Sequence, residues 1–226
     1  PVAPVTGTNQ VPPVGTQSLP TPRLPGGAGN AVTSGTNDTV ILERPDANIT
    51  VTLSAGTHYI RKLYQRETLN LTGGSLTVGY APSADSTTHG AQFSGSVTLS
   101  NSASFSVHTL QVDATQTFKL AGGTLTFDTI NLLSGATPAK ILMQGDVTFN
   151  ALPNRTATIA PGGGSGNSGL LDLGGGPRGF NVGHGTSDID LSLDVLISNG
   201  ALSKAGLGTL RLNSANTYAG GTTVSA

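Results

Sequence analysis

The stretch GHGTSD, Gly183–Asp188, holds His184, Ser187 and Asp188 close together. A base, a nucleophile and an acid are the parts of a hydrolase triad, but they act only when they converge in space beside an oxyanion hole. Residues this near on an extended segment alternate faces, and the chain has no Gly-x-Ser-x-Gly elbow. Two stretches, GSGNSG (Gly164–Gly169) and GGGPRG (Gly174–Gly179), satisfy Gly-x-Gly-x-x-Gly. A dinucleotide site needs that pattern between a strand and a helix, and no helical period follows either one. Asp188, Asp190 and Asp194 are evenly spaced, which predicts one shared face of one strand. Such a row is an ordinary solvated edge, or at most a weak Ca²⁺ site of oxygen ligands. Glycoside hydrolysis needs two convergent carboxylates, and the only glutamates are Glu43 and Glu67. His58, His89, His108 and His184 have no metal-ligand spacing and are read as surface or loop residues. No catalytic residue, cofactor site or metal site is therefore assigned.

Composition narrows the classes further. The 226 residues are 10% charged, with a net charge of −1 and 4% aromatics. There is no basic field for nucleic acid and little aromatic surface for stacking. Cysteine is absent, which excludes disulfides, Cys-based zinc sites and thiol nucleophiles. No apolar run is long enough for a membrane-spanning helix, and no signal-peptide pattern is present. The chain opens on Pro1 rather than Met, so its native start is expected upstream.

The elements that would position any site are strands. Residues 1–30 carry more than half of the 13 prolines and predict an extended arm or linker of polyproline II character, because proline cannot donate to a ladder. From Asp38 onward apolar residues alternate with Thr, Ser, Asn or Asp: Val51 and Leu53, Leu76 and Val78, Phe105 and Val107, Leu125 and Phe127, Leu191 and Leu193. A period of two with Gly or Asn between runs is the strand signature. The segment HYIRKLYQRE, His58–Glu67, admits a helical turn but is read as a strand with a polar edge.

Repetition is the most informative feature. TLNLTGGSLTVG (Thr68–Gly79) and TFKLAGGTLTFD (Thr117–Asp128) share T-x-x-L-x-G-G-x-L-T at an offset of 49 residues, with a weaker copy at KAGLGTLRL, Lys204–Leu212. That offset equals two coils of a solenoid of roughly 20–25 residues per coil. Stacked coils put Leu, Val, Ile and Phe in an inner column, Thr and Ser outside, and Gly or Asn at corners.

The last segment, LISNGALSKAGLGTLRLNSANTYAGGTTVSA (Leu196–Ala226), resembles the autotransporter-associated β-strand repeat. Gly200, Leu202, Lys204, Gly206, Gly208, Thr209, Leu210 and Leu212 carry the first half of that pattern. Ala215, Asn216, Thr217, Tyr218, Gly220, Gly221, Thr222, Thr223 and Val224 carry the second. The resemblance implies a β-helical stalk of a large secreted surface protein of Gram-negative-type bacteria, without catalytic residues. In that family the motif runs into another coil, so Ala226 is expected to continue or to be completed by another molecule.

The expected fold is all-β, a right-handed parallel β-helix over residues 31–226 with a proline-rich arm at 1–30 and the repeat at 196–226. The expected function is a non-enzymatic structural module, secreted to the outer cell surface or extracellular matrix. A carbohydrate-binding or carbohydrate-active β-helix, of lyase or hydrolase type, is the alternative. Partners follow from the open strand edges of a solenoid. The final strand, Thr222, Thr223, Val224 and Ser225, is expected to meet the first coil, Thr39, Val40, Ile41 and Leu42, of the next molecule, or the next coil of a longer chain. A glycan or a host or cell surface is the expected adhesive target.

Overall fold

A computed structural model describes residues 17–18, 35–44, 46–79, 90–163, 166 and 168–225. In chain order the strands are β1 (Gln17–Ser18), β2 (Gly35–Leu42), β3 (Thr50–Leu53), β4 (Thr57–Gln65), β5 (Thr68–Leu71), β6 (Ser75–Val78) and β7 (Gly90–Phe93). Two long strands follow, β8 (Val97–Val112) and β9 (Thr117–Leu133). Then come β10 (Lys140–Met143), β11 (Val147–Phe149), β12 (Ala157–Gly162), β13 (Leu170–Asp172), β14 (Pro177–Val182) and β15 (Leu191–Leu193). The last are β16 (Leu196–Ser198), β17 (Ala201–Ala205), β18 (Leu210–Leu212) and β19 (Thr222–Val224). Among the described residues there is no helix.

Every ladder between these strands is parallel and joins one coil to the next. Three faces result. The first stacks β3, β5, the start of β8, the start of β9, β10, β13 and β16. The second stacks the start of β4, β6, the middles of β8 and β9, β11, β14, β17 and β19. The third stacks β2, the end of β4, β7, the ends of β8 and β9, β12, β15 and β18. Leu69 pairs with Val97 and Val97 with Phe118, so the 49-residue repeat spans two coils. Individual coils vary more than expected. Thr50 stacks on Thr68 but Ala157 on Leu191, because corners accept loops without disturbing the ladders.

Inward residues follow the alternation. Val51, Leu53, Phe105, Val107, Leu125 and Phe127 are all buried. The rings of Phe93 and Phe105 stack at 5.8 Å, Phe118 meets Phe93 edge-on at 5.3 Å, and Phe149 stacks on Phe180 at 5.4 Å. Such pairs add to the area they bury. The shared Gly-Gly turns the corner from the first face to the second: Gly74 and Gly123 have φ of +68° and +87°, where a side chain is strained. The next corner needs two successive outward residues, His108–Thr109 in β8 and Asp128–Thr129 in β9.

His58–Gln65 lies in β4 and is a strand, with alternating burial. Within the proline-rich stretch only Gln17–Ser18 is described, and its backbone pairs parallel with Val51–Thr52. The rest of residues 1–30 lies outside the described residues.

Candidate functional site

The residues expected to carry assembly sit at the two ends of the stack. At the head, β2 pairs with β4 through Thr39↔Lys62, Val40↔Leu63, Ile41↔Tyr64 and Leu42↔Gln65. Val40 and Leu42 point into the core, whereas Ile41 is 53% exposed beside Tyr64 on the outer side. At the tail, β19 pairs with β17 through Leu202↔Thr222, Ser203↔Thr223 and Lys204↔Val224. The Ser225 N–H donates to the Lys204 carbonyl at 2.8 Å. The opposite edges of β2 and β19 have no ladder partner among the described residues. The two strands occupy different faces, β2 the third and β19 the second. A strand of one molecule meets the other only if the next molecule is turned by one face about the axis.

The tail coil is built differently from those above it. Leu210, Leu212 and Tyr218 pack against the core but stay half-buried, and Val224 is 71% exposed. Polar contacts hold it instead. Asn216 Oδ1 accepts the Ile197 N–H at 2.9 Å, and the Thr217 N–H donates to the Ile197 carbonyl at 2.9 Å. The Asn-Thr-Tyr of the repeat thus completes the hydrogen bonds of the last strand on the first face. The Tyr218 and Thr222 hydroxyls are 2.6 Å apart, and the Lys204 ammonium donates to the Gly206 carbonyl.

One buried carboxylate links this coil to the preceding one. Asp190 is fully buried and accepts the Gly185 N–H at 2.7 Å, the Thr209 N–H at 2.8 Å and His184 Nδ1 at 3.3 Å. Burial raises its pKa, but the N–H donors of Thr209 and Gly185 and the His184 contact outweigh this and leave it below the usual carboxylate value. Its own backbone N–H donates to the Thr209 carbonyl at 3.1 Å. The even spacing that suggested a shared acidic face is therefore misleading. Only Leu191–Leu193 is strand there; Asp188 is an exposed loop residue, Asp190 points inward, and Asp194 accepts Ser192 Oγ and Asn213 Nδ2. No Ca²⁺ edge forms from them.

The other candidate chemistry disperses in the same way. His184 meets Asp190 rather than Ser187. Glu43 pairs outward with Arg66 at 2.5 Å, while Glu67 accepts the Arg44 and Ile49 N–H groups at 2.7 and 3.0 Å. The Gly174–Gly179 stretch turns directly into β14, so no helix N-terminus faces it. Gly164, Ser165 and Asn167 of Gly164–Gly169, and His89, lie outside the described residues. His58 is not a surface residue: it is buried in β4, where its even position aligns it with Ile60, and its Nε2 bonds the Ala55 carbonyl at 3.1 Å. His108 lies half-buried on β8 against Asp128, which Arg155 also reaches. Among the described residues no three His, Asp or Glu side chains form a metal cluster.

Asp190 and Asn216 anchor this end by hydrogen bonds, a part that sequence reasoning gave to neither. The signal for Asn216 was its place in the repeat; for Asp190 there was none, because its donor Thr209 lies a coil away.

Residues 202–226 match the family described as passenger-associated-transport-repeat. Comparisons with curated proteins and with solved structures give no match to the chain.

Proposed function

We propose that this chain is a non-enzymatic structural module of the bacterial outer surface or extracellular matrix. In this reading it is a right-handed β-helical stalk whose coils stack end to end, part of an exported autotransporter passenger. The observation that carries it is the tail coil. It combines a passenger-type repeat with a strand edge that has no ladder partner among the described residues and a half-covered apolar core at the same end of the stack. An open parallel edge over an apolar column is complementary to one thing above all, another coil of the same kind. The occupant is a following coil of the polypeptide or the head of a second copy. Its contact with Thr39–Leu42 runs head to tail, and such a heterologous contact propagates as a filament. Adhesion to a glycan or cell surface is a consequence of display rather than of a pocket.

Both glutamates and His184 are engaged in structural contacts, and Asp188 is an exposed loop residue away from them, which favours a scaffold over the carbohydrate-active alternative. Light scattering of the purified chain across concentrations tests the proposal. Growth in mass with concentration, abolished by Val224→Pro, which removes an N–H from the open edge of β19 and leaves its ladder to β17 intact, supports it. A strict monomer at high concentration removes the stacking role, and turnover of any polysaccharide removes the non-enzymatic one.

A further inference from the structure

Three asparagine corners lean on left-handed backbone, and one of them carries a chemical liability. Asn101, Asn154 and Asn199 have φ of +55°, +57° and +59°, a conformation asparagine tolerates better than other side-chain-bearing residues. Their successors are Ser102, Arg155 and Gly200. Gly200 is imposed by packing: its φ is +149°, and a Cβ there would lie 2.5 Å from the Gly176 carbonyl oxygen and 2.7 Å from Leu173 Cβ. The corner that joins β16 to β17 therefore demands Asn for its left-handed turn and Gly for close approach. Together they make the one Asn-Gly dipeptide of the chain. An unbranched glycine leaves its amide nitrogen unhindered for attack on the preceding side-chain amide.

We propose that Asn199–Gly200 is a modification site, converted to succinimide and then to aspartate or isoaspartate, and that the folded corner holds it in check. In the step, the deprotonated Gly200 nitrogen attacks Asn199 Cγ, a C–N bond forms, and the side-chain nitrogen leaves as ammonia. Water then opens the ring at either carbonyl, which restores the peptide or diverts it through the side chain.

The native corner opposes this by fixing both reacting groups. Asn199 Nδ2 donates to Asp172 Oδ1 at 2.9 Å, and the Asn199 carbonyl accepts the Gly175 N–H at 2.8 Å. The Gly200 carbonyl accepts the Gly220 N–H at 2.9 Å, so the repeat itself clamps the dipeptide. Asp172 is in turn held by the Gly174 N–H at 2.8 Å and by Lys140 at 3.5 Å. Reaction requires this corner to open, which couples the chemistry to local unfolding of the last coils. After conversion residue 199 has no donor for Asp172. A carboxylate faces a carboxylate, or an isoaspartyl linkage lengthens the backbone at the entry to β17. Either product disfavours reclosing, so the site records each opening of the tail irreversibly.

The test follows deamidation by peptide mass spectrometry and isoaspartyl-specific methylation on the intact chain, with Asn101 and Asn154 as internal controls. At neutral pH in urea, Asn199 is expected to convert well ahead of both controls, and about tenfold or more faster than in native buffer. Asp172→Ala is expected to raise the native rate about two- to tenfold, the worth of one hydrogen bond. Conversion at Asn199 no faster than at the controls in urea overturns the chemical assignment. Equal rates in urea and native buffer overturn the restraint by the fold.

Discussion

The middle and the tail of this solenoid are made by the same alternation and held by different forces. In the middle, β8 and β9 run unbroken around all three faces, and Phe93, Phe105 and Phe118 interlock inside them. Each of these coils has a neighbour above and below, so every inward side chain is covered. At the tail Leu210, Leu212 and Tyr218 are only partly buried, and hydrogen bonds accepted by Asp190 and Asn216, with the Tyr218–Thr222 hydroxyl contact, take the place of apolar cover. A coil in a stack owes its burial to its neighbours, and a coil at an edge must find polar anchors until another arrives.

The comparison breaks most sharply in the middle. Phe118→Ala removes a ring from the interlocked set and is expected to cost about 3–5 kcal/mol, read from denaturant unfolding. A loss below about 1 kcal/mol would mean that the core is loosely packed there. At the tail the largest effect belongs to Asp190. Its replacement by Ala strips the acceptor from two part-buried N–H groups, at about 1–3 kcal/mol in all, and hydrogen exchange should show Thr209–Leu212 losing protection while β9 keeps it. Protection lost equally everywhere would place Asp190 in the global core instead.

Acid sharpens the same point. Because the folded-state pKa of Asp190 is depressed, its stabilisation is fully present above its unfolded-state value and is lost as pH falls through the folded one. The stability gap between the native chain and Asp190→Asn should therefore be wide at neutral pH and shrink below the ordinary carboxylate range. A gap that ignores pH would show that the carboxylate charge is irrelevant. Asp113 and Asp172, also depressed, add to acid sensitivity in both proteins alike. Smaller still, Asn216→Ala should cost about 1 kcal/mol, with faster exchange at the Ile197 amide as its marker. Leu207, 78% exposed, is expected to change stability by less than about 0.5 kcal/mol when replaced by Ser. In an assembly its effect would grow, and sedimentation of that variant against the native chain measures the difference.

The strand pattern was legible because it needs only neighbours in sequence: Leu125 and Phe127 announce one face by their period of two. The two-coil offset was legible from the recurring Gly-Gly, which a corner dictates. The coil lengths were not, since loops such as Asn150–Thr156 and Gly183–Asp190 lie outside the ladders and obey no pattern of burial. Polar burial was the hardest to see. His58 and Asp190 read as ordinary surface residues; the local turn before β4 brings His58 to the Ala55 carbonyl, and only stacking on the next coil places Asp190 beneath Thr209. The end residues Thr39–Leu42 and Thr222–Ser225 were visible as strands; that they lie on different faces depends on the number of corners between them.

The unequal coils also have a mechanical meaning. The ladder bonds run along the axis of the stack, so tension on the two ends peels coils away one at a time rather than shearing them together. The coil from Thr50 to Thr68 stores 18 residues and that from Ala157 to Leu191 stores 34, which at about 3.4 Å per extended residue release roughly 60 and 115 Å. Under tension, a stack of such unequal coils is expected to lengthen in steps of different size, the phenylalanine-filled middle being the last to yield.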